Sequence, residues 1–145
     1  MPFLLVDRLT PVLSYCAPRL IEYTDPMRKD STLLFCYGTL KSGFHNHHHL
    51  AESTFMGSFK TAAEFTMVDL GDYPAVIQHG SCAIHGEIYK ICSNTLINLD
   101  KLEGYPQDFN RILISSSFGF VWMYVLNQTA SDDRPKIKSG RWLKK

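Results

Sequence analysis

Between Thr32 and Leu126 the apolar residues come in short runs, each closed by glycine or another turn former, and one stretch alone keeps a helical spacing. Short apolar runs bounded in this way fit strands. Leu33-Leu34-Phe35-Cys36 is such a run, and Gly38 follows it, which predicts a buried first strand leading into a turn. Further strands are predicted near 56–61, 65–69, 74–78 and 82–91, with Gly71-Asp72 and His79-Gly80 as separators. Ser93 reads as a helix N-cap, and Asn94 to Glu103 as a helix stopped by Gly104. Arg111 to Ser115 and Phe120 to Leu126 flank Ser117-Phe118-Gly119 as a hairpin. The pattern predicts an α+β fold, a small mixed β-barrel, closed or half-closed, with flanking helical structure.

The flanks differ from this middle. Four of the seven prolines (Pro2, Pro11, Pro18, Pro26) precede residue 27, and no steady period runs through the segment. Residues 1–31 therefore read as an N-terminal extension, 32–126 as the domain proper, and 127–145 as a polar, basic tail with a single Trp142. A chain of 145 residues has room for one such domain with a real core. A net charge of +1, with no basic cluster interleaved with aromatics, gives no sign of a nucleic-acid partner. No apolar run is long enough to span a bilayer, and Asp7 and Arg8 interrupt Phe3-Leu4-Leu5-Val6 before it becomes a signal segment. Cys16, Cys36, Cys82 and Cys92 include no Cys-x-x-Cys pair, so reduced thiols in a cytoplasmic protein are expected.

Glu103 is the most informative single residue. At roughly 100° per helical residue it points into the arc shared by Leu96, Leu99 and Leu102. Desolvation on that face and the negative end of the helix dipole both favour a carboxyl group that exchanges its proton near neutral pH. A frayed last turn that swings Glu103 into solvent is the competing arrangement, and the helix pattern does not separate the two. Tyr37-Gly38-Thr39-Leu40 is the second candidate. Glycine there permits a sharp turn that brings successive N–H groups to one side, a nest suited to carboxylates. The same tetrapeptide also serves as a purely structural strand end. Tyr124 shares a strand face with Phe120 and Trp122, which places it in the core with its hydroxyl in reach of a pocket. Arg111 could pair with a carboxylate of the substrate or with Glu87, and the structural pair with Glu87 is expected. The run His45, His47, His48 and His49 reads as a solvated loop, because adjacent histidines converge poorly on one ion, so no metal site is expected.

Tyr37-Gly38-Thr39-Leu40, Asp72-Tyr73-Pro74-Ala75-Val76, His85-Gly86-Glu87-Ile88-Tyr89 and Leu99-Asp100-Lys101-Leu102-Glu103-Gly104-Tyr105, with Arg111 beyond, stand in this order. Together they resemble the γ-glutamylcyclotransferase-like family, and Lys41 to Gly43 with Asn46-His47 resemble its γ-glutamylamine branch. The resemblance implies a small β-barrel with helices outside it. It also implies a small-molecule γ-glutamyl substrate, closed into 5-oxoproline by its own α-amine with release of an amine or amino acid. No cofactor or metal is implied. Glu103 would move the proton, and Tyr37, Gly38, Thr39 and Leu40 would hold the substrate head group, chiefly through backbone N–H; Tyr124, by its strand face alone, could reach the pocket and touch substrate. Phe109 departs from the family, where Tyr commonly stands. A catalytically silent relative that binds a metabolite or a protein partner is the alternative; retention of Glu103 favours the enzyme.

Overall fold

The computed structural model describes residues 31–127 and 133–144; of the N-terminal extension only Ser31 falls among them. The first strand, β1 (Ser31–Cys36), is followed by a short 3-10 helix, His47–Leu50. Then come β2 (Thr54–Lys60), β3 (Phe65–Asp69), β4 (Pro74–Cys82), β5 (His85–Cys92), helix α1 (Ser93–Glu103), β6 (Phe109–Ser116) and β7 (Gly119–Leu126). Five strands form a mixed sheet in the order β2-β5-β1-β7-β6, and β3 pairs with β4 in a separate two-stranded ribbon. β4 packs against β7.

Because β1 is central, both of its faces are covered, and its sequence is a continuous apolar run rather than an alternation. Leu34 and Cys36 join Leu99 of α1 in one core cluster, while Phe35 and Tyr37 join Val121 and Met123 in another. β1 runs antiparallel to β5 and parallel to β7, with Leu34 level with Trp122. The α+β class is as the sequence predicts. Of the closed and half-closed forms, full closure is not seen: among the described residues β2 pairs only with β5 and β6 only with β7, so the sheet is curled but open. A mixed barrel requires the two edge strands to meet, and apolar alternation says nothing about that.

Two local expectations also change. His79-Gly80 lies inside β4 rather than between strands. Thr66 pairs with Ile77 but Phe65 with Cys82, so the residues between Ile77 and Cys82 bulge from the ladder, and the Thr66 hydroxyl donates to the His79 carbonyl at 2.6 Å. The turn signal marked an excursion within one strand. Cys36 and Cys82 are free, but Cys92 is disulfide-bonded, which corrects the expectation of reduced thiols throughout. The finding removes the thiol argument for a cytoplasmic location. No helix among the described residues is long and apolar enough to cross a membrane.

The described part of the C-terminal segment is built into the fold. Ile137 N–H donates to the Met67 carbonyl at 2.8 Å, Asp69 N–H to the Pro135 carbonyl at 2.9 Å, and His85 N–H to the Gly140 carbonyl at 2.9 Å. Trp142 is among the largest fully buried side chains, although its indole N–H finds no partner among the described residues. Lys41 Nζ donates to the Trp142 carbonyl at 2.9 Å and ties this segment to the loop after β1. Trp142→Ala should therefore cost about 3–5 kcal/mol. Trp142→Phe, which also removes an unpaired donor, should cost clearly less. Equilibrium urea unfolding of the two variants measures both; an alanine variant within about 1 kcal/mol of wild type would show that the segment is dispensable.

Candidate active site

Helix α1 ends in a way that fixes Glu103. Gly104 adopts the left-handed conformation (φ 68°, ψ 37°), its N–H reaches the Lys101 carbonyl at 3.3 Å, and Tyr105 N–H reaches the Asp100 carbonyl at 2.9 Å. These two bonds make a Schellman motif, so the last turn is closed rather than frayed. Leu99 is fully buried at the centre of the inward face. Leu102, expected on the same arc, is 43% exposed. Glu103 is mostly shielded, and burial pushes its carboxyl up from the usual carboxylate range to about 7. The solvent-facing alternative for Glu103 is thereby excluded.

Facing it is the turn after β1. Lys41 N–H donates to the Gly38 carbonyl at 3.1 Å; Asn46 donates from its backbone to the Thr39 carbonyl at 3.0 Å and from its amide to the Thr39 hydroxyl at 2.9 Å. Histidine 47 bonds the Leu40 carbonyl through Nδ1 at 2.8 Å. The turn's carbonyls are thus engaged, whereas among the described residues the N–H groups of Gly38, Thr39 and Leu40 donate to no backbone carbonyl. Gly38 is needed for proximity: a Cβ there would lie 2.9 Å from Pro74 Cγ. The Tyr37 side chain is structural. Its hydroxyl donates to the Tyr124 carbonyl at 2.9 Å, and burial, followed by the Glu103 charge, pushes its pKa upward.

Tyr37, Gly38, Thr39, Leu40, Glu103 and Tyr124 all line one cavity of about 540 Å³, within the usual range for a small-molecule site. Phe109 lies in its wall, beside Gln107 and Asp108. Cys36 also lines it, but burial, with the charges of Glu87 and Glu103, holds its thiol well above the ordinary value, so it stays protonated and unreactive. Among the described residues no group of His, Cys, Asp and Glu is arranged to hold a metal ion. The histidines bond locally instead, His48 Nδ1 to the His45 carbonyl at 3.0 Å.

Arg111 does not pair with Glu87. Its Nε and Nη2 grip Asp100 Oδ1 and Oδ2 at 2.9 and 3.0 Å, and its guanidinium lies 4.5 Å from the rings of both Tyr105 and Trp122. Glu87 Oε1 instead accepts from Ser42 N–H and the Tyr89 hydroxyl, each at 2.9 Å. Asp100 also accepts from the Tyr124 hydroxyl at 2.7 Å. Nothing in the residue pattern alone marks this aspartate as part of the site. Hairpin register held the clue: a two-residue turn at Ser117-Phe118 sets Arg111 opposite Tyr124, and the helix end supplies the one carboxylate between them.

Comparison with known proteins agrees with this geometry. A family model described as γ-glutamyl cyclotransferase, AIG2-like, matches residues 34–144. The chain belongs to this family. The γ-glutamylcyclotransferase family protein YtfP of Escherichia coli is 34% identical over 110 residues, which cover 76% of this chain and 95% of the relative. Its solution structure superposes with a TM-score of 0.63 at 35% identity, covering 77% and 96% of the two chains. A Niallia circulans relative named γ-L-glutamyl-butirosin B γ-glutamyl cyclotransferase is 34% identical over 120 residues, covering 75% of this chain and 74% of its own. The mouse AIG2-like protein, at 23% identity and a TM-score of 0.67, shares the fold over 75% of this chain and 87% of its own. The family match extends past Leu126 and takes in the segment that buries Trp142.

A carboxyl whose pKa is raised on folding binds more protons in the native than in the unfolded state between its ordinary value and about 7. Its contribution is therefore favourable at low pH and is lost as pH rises through about 7. Glu103→Gln should match wild type in stability near pH 4 and exceed it by up to about 3 kcal/mol at pH 8. Thermal unfolding of both proteins across that range checks the sign; a variant less stable at pH 8 would refute the burial of Glu103.

Proposed function

We propose that the chain is a γ-glutamylcyclotransferase that cleaves a γ-glutamyl amide and releases 5-oxoproline with a free amine or amino acid. The observation that carries the reading is Glu103, a shielded carboxyl with a pKa of about 7, in one cavity with the donor-rich turn at Tyr37 to Leu40. In the reaction the substrate's α-nitrogen bonds to its own γ-carbonyl carbon, and the bond from that carbon to the leaving nitrogen breaks. Both partners belong to one molecule, so holding the γ-glutamyl group curled supplies much of the acceleration. The N–H groups of Gly38, Thr39 and Leu40 are suited to the substrate's carboxylate. Glu103 takes a proton from the attacking nitrogen and delivers it to the departing one. A group with both protonation states populated near neutrality is matched to this double duty.

The resemblance of Lys41 to Gly43, Asn46 and His47 to the γ-glutamylamine branch supports substrates whose leaving group is an amine. The Niallia circulans relative, named for a γ-glutamyl compound of butirosin B, supports a γ-glutamyl substrate in general. A panel of γ-glutamyl amines and γ-glutamyl amino acids, scored for 5-oxoproline, tests the reading, and no product from any member would overturn it.

Two outcomes are expected with an active substrate. Glu103→Gln retains the fold and loses about 10²–10⁴-fold in kcat. In wild type, kcat/KM falls about tenfold per pH unit below about 7, as protonation of Glu103 removes the base. A flat profile between pH 5 and 7 would reject Glu103 as the proton carrier.

A further inference from the structure

The Tyr124 hydroxyl has one proton to donate, and it donates that proton to Asp100 Oδ1 at 2.7 Å. Asp100 is itself held by both arms of the Arg111 fork, at 2.9 and 3.0 Å, and the fork is fixed between the rings of Tyr105 and Trp122. A guanidinium offers donors only, so it keeps Asp100 as an acceptor at both oxygens. The backbone of Asp100 is bound too, since its carbonyl accepts from Tyr105 N–H. Nothing in this arrangement lets the phenol turn its proton toward the cavity that Tyr124 lines with Glu103. What Tyr124 can offer to a ligand is therefore a lone pair.

We infer that Asp100 and Arg111 are positioning residues that set Tyr124 as a hydrogen-bond acceptor for the substrate's α-amino group. The inference rests on the cyclotransferase reading and deepens it, because it divides the cavity by polarity. The turn at Gly38 to Leu40 presents donors, suited to the α-carboxylate, while Tyr124 and Glu103 present acceptors, suited to the α-nitrogen. A γ-glutamyl group bound across them has its nucleophilic nitrogen beside the residue that deprotonates it. Compounds with the same carboxylate and amide but no α-amine should lose affinity. Burial and the Asp100 bond raise the phenol's pKa most, and the Glu103 charge is near enough to add to them, which fits one shared ligand group.

The test uses calorimetric affinity in a Glu103→Gln background, where the substrate survives the measurement. The probes are a γ-glutamyl amide and its deamino analogue, which cannot cyclise. The amide should bind more tightly, and Tyr124→Phe should reduce that preference by about tenfold or more, as expected for a hydrogen bond to a charged group. Replacing the ion pair as a unit, Asp100→Leu with Arg111→Met, avoids leaving one half-buried charge unpaired. It should reduce the preference to the same extent, and adding Tyr124→Phe should then change nothing further. Arg111→Lys, which keeps the charge but not the fork, should fall between. If Tyr124→Phe leaves the preference intact, Tyr124 is not the acceptor. If the paired replacement lowers Tm without altering the preference, the pair is structural only. Either outcome overturns the inference while 5-oxoproline release by wild type still stands; absence of release overturns the cyclotransferase reading itself.

Discussion

The arrangement depends on one half-buried ion pair. Arg111 comes from β6, Asp100 from α1 and the phenol from β7, so a single guanidinium–carboxylate contact joins the helix to the hairpin. An isolated pair of this kind roughly breaks even against its desolvation. Here the carboxylate also receives the Tyr124 hydroxyl, and two aromatic faces cover the cation, which satisfies groups that burial would otherwise leave wanting. The pair does more for geometry than for stability. It sets where the last turn of α1 lies, and that turn ends in Glu103.

Stability and chemistry pull in opposite directions at Glu103. A carboxylate at the negative end of a helix dipole and away from water is disfavoured on both counts. The fold tolerates it because the Schellman closure at Gly104 leaves that turn little freedom to expose the side chain. The turn at Gly38 shows a related compromise. Its sharp path brings the backbone within contact distance of Pro74, a fit that any side chain would prevent.

Much of this was legible in the residues alone. Glycine after an apolar run marked the end of β1, and the Asn94–Glu103 spacing with Gly104 marked the helix and its stop, apart from a one-residue shift at its start. Glu103 and Tyr37 to Leu40 were named together, and they do line one cavity. What was illegible depended on strand pairing. Whether the sheet closes is decided by contacts between its edges, which no periodicity encodes. Arg111 was matched with the wrong carboxylate because its partner follows from register, and a one-residue change in the hairpin turn moves every cross-strand neighbour. Helical angle alone places Leu102 on the core arc, yet it lines the cavity with 43% of its surface exposed.

The parallel contact between β1 and β7 has a consequence for the order of events as the chain is made. Leu34 emerges from the ribosome long before Trp122, its neighbour across that contact. Until then β1 can complete only its antiparallel side, with β5. Its other edge waits through the synthesis of the helix and of β6, an uncovered row of backbone donors and acceptors beside an apolar run. Non-local closure of this kind is slow compared with hairpin formation. The interval in which β1 has one neighbour is therefore the nascent domain's period of greatest exposure to misassociation, and it ends only when β7 docks and the cavity wall is complete.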